Sequence, residues 1–135
     1  MPHPIMFADD DPVLAKVRAI ALDFPDSFEK VSHGRPAFFV SKMFAMYGGS
    51  VKPETRGGDY LQYPRSIMVK VDESDRRALQ ADSRFFYPAY LGPAGWLGLD
   101  FSATKKVDWA EVRELVDASF RMVAPKKAVR RLDEA

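Results

Sequence analysis

The chain holds two histidines, His3 and His33, and no cysteine. Only His33 falls within the patterned part of the sequence. It follows Ser32 directly, and Ser41 lies a strand's length further on, so the residue types of a base and a hydroxyl nucleophile are present. Such a pair works only when the base reaches the hydroxyl and a third group orients it. Adjacency along a chain does not supply that geometry, and no catalytic signature surrounds His33. We read it as a corner residue bordering a groove, and we expect no enzyme. Metal chemistry finds no zinc-type ligand spacing. Asp9-Asp10-Asp11 offers oxygen ligands suited to a hard cation, but a helix cap at Asp11 accounts for the run. Gly48-Gly49 and Gly57-Gly58 lack the strand–Gly-rich–helix setting of a nucleotide loop. Neither a metal nor a cofactor is expected.

The basic residues form the one suggestive pattern. Arg35, Lys42 and Lys70 fall on or beside strands, Lys105-Lys106 precedes a helix, and Lys126, Lys127, Arg130 and Arg131 lie near the C-terminus. Gathered on one face they would contact phosphates, so DNA is one expected partner. Lys42 stands out because it lies amid Phe38, Val40, Phe44 and Met46, where a lysine either snorkels to an edge or has a purpose. A second reading uses aromatic residues with polar handles. Tyr87, Tyr90 and Trp96, with His33 and Lys42, would line a groove for a small ligand or a protein segment.

These residues need a scaffold. At 135 residues, 47% hydrophobic and 13% aromatic, the chain has the size of one domain and enough apolar side chains for a core. A net charge of +1 is not the strong basic excess of an evident nucleic-acid binder. No apolar run is long enough to span a bilayer, and Met1 to Met6 lack a signal peptide's basic start and long apolar segment. The expectation is a cytoplasmic protein, with homodimerisation through an edge strand or long loop left open.

Residues 1–10 read as a flexible arm, 11–125 as the domain and 126–135 as a frayed basic tail. Asp11 and Pro12 start a helix that repeats apolar residues at three and four through Phe24 and stops at Pro25. Phe28 to Ser32 reads as an edge strand, Gly34-Arg35-Pro36 as a turn, and Phe38 to Met46 as one central strand. Gly48-Gly49 reads as a turn and residues 50–66 as a long loop. Ile67 to Val71 reads as a strand, and Asp72 caps a helix to Ala81 that buries Ala78 and Leu79. Phe85 to Leu91 and Trp96 to Phe101 form a hairpin about Gly92-Pro93-Ala94-Gly95. Asp108 and Glu111 make a capping box for a last helix, ended by Pro125. The fold class is α+β: a single domain, an antiparallel sheet with helices packed on one face.

Several segments carry a resemblance in this order: His33-Gly34-Arg35-Pro36-Ala37-Phe38, Lys42-Met43-Phe44-Ala45, Phe86-Tyr87-Pro88-Ala89-Tyr90-Leu91-Gly92, Gly95-Trp96-Leu97-Gly98-Leu99, Val107-Asp108-Trp109, and Ser119-Phe120-Arg121 with Val123-Ala124-Pro125-Lys126. Together they resemble the MmcQ/YjbR family. That resemblance implies a frataxin-like, or double-wing, α+β fold and a DNA-binding label, without catalytic residues to carry over. The chain departs from the family pattern in a longer Tyr47 to Arg65 segment and in His33, where members often place an aromatic residue. The first helix lacks the dense acidic ridge that frataxin-type iron binding would need.

Overall fold

The computed structural model describes residues 4–135, so His3 and the first three residues of the expected arm lie outside the described residues. At its centre is one six-stranded antiparallel sheet in the order β1-β2-β3-β4-β6-β5. The strands are β1 (Phe28–Ser32), β2 (Arg35–Val40), β3 (Lys42–Val51), β4 (Leu61–Lys70), β5 (Phe85–Phe86) and β6 (Trp96–Asp100). Four helices, α1 (Pro12–Ala21), α2 (Glu73–Gln80), α3 (Trp109–Val123) and α4 (Lys126–Glu134), all turn their apolar residues to one core cluster. The chain is therefore an α+β single domain with a helix-covered face and a helix-free face.

The helices begin where side chains can take up the free N–H groups of a first turn. Asp11 accepts from the Val13 N–H at 2.9 Å, Asp72 from Ser74 at 2.9 Å, and Asp108 from both Ala110 and Glu111. Behind these caps, Leu14, Val17 and Ala21 of α1 and Val112, Val116 and Phe120 of α3 are fully buried. Phe24, Phe44 and Phe120 meet with ring centroids 5.1–6.0 Å apart. Buried Ser119 locks α3 to the sheet. Its hydroxyl donates to the Phe44 carbonyl at 2.6 Å and accepts from the Lys70 N–H at 2.9 Å.

The helix-free face has its own, smaller cluster: Ala37, Met46, Met68, Phe86 and Trp96 are buried, and Phe39, Met43 and Leu91 pack against them. Gly98 makes this possible, because a Cβ there would lie 2.1 Å from the Phe86 ring.

Several elements differ from the sequence expectation. The single strand Phe38 to Met46 is two strands folded on each other, with Val40 opposite Lys42 and Ser41 in the turn at φ 61°. Apolar residues on both faces suit one doubly covered strand, but they equally suit two neighbouring strands. Lys42 is consequently exposed at a hairpin rather than set within an apolar strand. Gly48-Gly49 is no turn. It lies inside β3 at a register shift, where Gly48, at φ 89°, stands against the three bulged β4 residues Pro64, Arg65 and Ser66. The expected loop 50–66 shrinks to residues 52–60, because β3 and β4 extend into it. Pro64 is accommodated because it falls in the stretch of β4 skipped by the register.

Helix α1 ends at Ala21, and a turn carries Phe24 into the core. In α2, Ala78 is exposed and only Leu79 reaches the core. Pairing in the segment Phe85 to Leu91 stops at Phe86, since Pro88 offers no N–H and Tyr90 has φ 67°. The frayed tail is helix α4. Ala128 is buried and Val129 and Leu132 pack on the core, an amphipathic spacing hidden among its charges.

Candidate functional site

The β1–β2 hairpin turns on two residues, His33 and Gly34, both with positive φ (52° and 81°), between the paired Ser32 and Arg35. That is a two-residue turn suited to strand twist, one residue earlier than the sequence suggested. The N-terminal segment is held against it by the Met6 N–H donating to the Gly34 carbonyl at 2.9 Å. Across the sheet, the Ala89 N–H donates to the Ser50 carbonyl at 2.8 Å and pins residues 87–91 over the end of β3.

Between these two fixed points the helix-free face forms a groove of about 830 Å³. Its floor is Phe39, Met43, Met46, Met68 and Leu91, and Met6 closes one side. Ser32, His33 and Arg35 rim one part, and Ser50, Tyr60, Gln62 and Tyr90 rim another. No aspartate or glutamate lines it.

Arg35 is the charged group of this rim. It starts β2, and its side chain crosses Gly48 of β3, where a Cβ would stand 3.2 Å from the arginine Cδ and Nε. The guanidinium then reaches β4, and Nη2 donates to Gln62 Oε1 at 2.5 Å. Burial lowers its pKa from the ordinary arginine value, because a desolvated cation is disfavoured. Among the described residues, no carboxylate lies within ion-pair distance of it. The contrast is with Arg18, Arg84 and Arg121, each paired with two carboxylates.

Two tyrosines form the outer wall. Tyr60 and Tyr90 lie nearly parallel, at 11° with centroids 6.1 Å apart, and their hydroxyls share a hydrogen bond of 3.0 Å. That bond raises the Tyr60 pKa. The Lys52 ammonium stands 5.7 Å from the Tyr90 ring.

The expected site residues divide. His33, Arg35 and Tyr90 reach the groove. Tyr87 instead packs its ring on Gly92, beneath the Arg76 guanidinium. Trp96 is buried at 6% exposure in the cluster shared with Met46 and Met68. Ser41 stands at the far end of β2 from His33, and six strand residues at ~3.3 Å each put them ~20 Å apart.

The expected cations are spread over several elements. Lys42 sits at the β2–β3 turn and Lys70 at the end of β4, opposite Trp96. Lys105-Lys106 and Lys126-Lys127 flank α3, whose 15 residues hold them ~22 Å apart at ~1.5 Å per residue. Arg131 is tied to Asp26 at 2.6 Å, while Arg130, Lys126 and Lys127 are exposed on α4. The acidic run at the N-terminus is also engaged. Asp9 pairs with Arg18, and Asp11 accepts from the Tyr47 hydroxyl at 2.5 Å as well as capping α1. Burial and that carboxylate push the Tyr47 pKa up.

The methionine floor, Tyr60 and Gln62 escaped the sequence reading. Finding them required the Ser41 turn, the register shift at Phe44 that brings Met43 and Met46 to one face, and the true start of β4. Among the described residues, no helix is long and apolar enough to cross a membrane.

The family model described as YjbR matches residues 22–122, which include the whole sheet. No curated protein and no solved structure matches the chain.

Proposed function

The chain belongs to the YjbR family, and from that premise we propose that it is a binding protein for a small amphiphilic anion seated on the helix-free face. The observation that carries this is Arg35, a part-desolvated guanidinium with an amide as its side-chain partner, at the rim of an apolar-floored groove. Taking a charge out of water costs free energy that an opposite charge restores. A bound anion would supply that charge, and the floor would take the ligand's apolar body. The volume falls within the ~300–1,000 Å³ of small-molecule sites. A guanidinium keeps its proton in proteins, so Arg35 serves binding rather than proton transfer.

One observation favours a second reading, DNA contact through α4. Lys126, Lys127 and Arg130 are exposed there, and among the described residues none forms an ion pair. Three phosphate contacts would give a salt slope of about −2.7 for duplex DNA.

A fluorescence titration with 8-anilinonaphthalene-1-sulfonate tests the first reading. We expect saturable binding that weakens by about 10- to 100-fold in Arg35→Gln, the loss of one hydrogen bond to a charged group. It should be unchanged in a Lys126→Ala, Lys127→Ala, Arg130→Ala variant. Binding indifferent to Arg35 would refute the groove reading. A low-salt mobility shift lost in the triple variant would favour DNA.

A further inference from the structure

Resting on the groove reading, we propose that the ligand is a flat aromatic monocarboxylate. Charge comes first. Arg35 is the lone arginine or lysine among the lining residues, and no carboxylate lines the groove. A monoanion neutralises it, whereas the second charge of a phosphate monoester would have to be met from outside the lining, by Lys30 or Lys52, whose ammoniums stand 4.8 Å and 5.7 Å from the Phe39 and Tyr90 ring centroids.

Geometry selects the carboxylate. A guanidinium presents planar N–H donors that match two oxygens in one plane. Gln62 takes one donor with its carbonyl oxygen, so its own NH2 group is left to donate at the same end. Arginine and amide together make a planar donor set suited to a carboxylate.

The floor and wall select the flat ring. Met6, Met43, Met46 and Met68 line the groove, and methionine sulfur packs favourably against aromatic rings. The stacked Tyr60 and Tyr90 rings wall the outer side, and aromatic rings prefer offset-stacked or edge-to-face contacts with a flat ring. An aliphatic chain would gain burial but neither of these contacts, a difference of about 3- to 10-fold in affinity.

Calorimetric titration with four probes tests the proposal: 2-naphthoate, its neutral amide 2-naphthamide, 2-naphthyl phosphate and decanoate. For the wild type we expect 2-naphthoate to bind tightest and 2-naphthamide about 10- to 100-fold more weakly. Decanoate and the phosphate should trail by at least about threefold. Arg35→Gln should abolish the advantage of naphthoate over naphthamide. Gln62→Leu, at an exposed position, should reduce it, which gives a second route if Arg35→Gln perturbs the fold. Decanoate or the phosphate equalling naphthoate, with the same dependence on Arg35, would overturn the ligand class and leave the groove reading standing. Failure of all four to bind, or binding indifferent to both variants, would overturn both.

Discussion

Replacing Ser119 by alanine removes one oxygen, yet it strips partners from two backbone groups. The hydroxyl stands between the Phe44 carbonyl at 2.6 Å and the Lys70 N–H at 2.9 Å, and the residue is wholly buried. Alanine leaves both groups without that partner in a dry site, at about 1–3 kcal/mol for each unsatisfied group. Allowing for partial relaxation, we expect a loss of about 2–4 kcal/mol. Unfolding entropy of about 2.1 cal/mol/K per residue over 135 residues gives about 0.28 kcal/mol/K. The predicted fall in Tm is therefore about 7–14 °C. Urea denaturation with an unchanged m-value should place the loss in native-state stability rather than in the unfolded chain. The contact also spans the junction of β3 and β4, which carry Met43, Met46 and Met68 of the groove. A loss below about 0.5 kcal/mol, the range of neutral surface changes, would refute the view that α3 is locked to the sheet through this hydroxyl.

Two other outcomes follow from the same contacts. Truncation after Pro125 should lower the urea midpoint, because α4 contributes buried Ala128 and the packed Val129 and Leu132; an unchanged midpoint would mean the segment is a dispensable tail. Arg84 hydrogen bonds, first through its side chain and then its backbone N–H, hold the Asp82 pKa below its ordinary value. A carboxyl with a depressed folded pKa stabilises above its unfolded value of about 3.9, and that stability is lost as pH falls through the folded pKa. Chemical denaturation from pH 6 down to about pH 2 should therefore show a steeper acid loss in wild type than in Arg84→Gln.

Local chemistry made the helix starts legible. Asp11-Pro12, Asp72 and Asp108 cap helices because the capping hydrogen bonds are short-range. Glu111, the other half of the expected capping box, is drawn away to Arg84 at 2.7 Å, a partner 27 residues distant that local pattern does not encode. The edge strand Phe28–Ser32 and the strand opening at Trp96 were legible from alternation and flanking turn residues. Turns without glycine were not, as Ser41 shows, and glycine misled at Gly48-Gly49, where it serves a bulge. The groove was legible only at its rim. Arg35, His33 and Tyr90 were visible as candidates, but the burial of Arg35 depends on Gly48 and Gln62 from two other strands. Lys42 stands out in the sequence because Phe38 to Met46 reads as one strand, and the turn at Ser41 returns it to solvent.

We propose that an anion docks at Arg35 over the methionine floor. Methyl-labelled methionine NMR combined with arginine Nε–Hε spectra, recorded during titration with 8-anilinonaphthalene-1-sulfonate, tests it most directly. Saturable shifts are expected at the Arg35 Nε–Hε and at the Met43, Met46 and Met68 methyls, with Met122 on α3 unmoved. Shifts confined to other arginines, or none at the methionine floor while the dye binds, would contradict it.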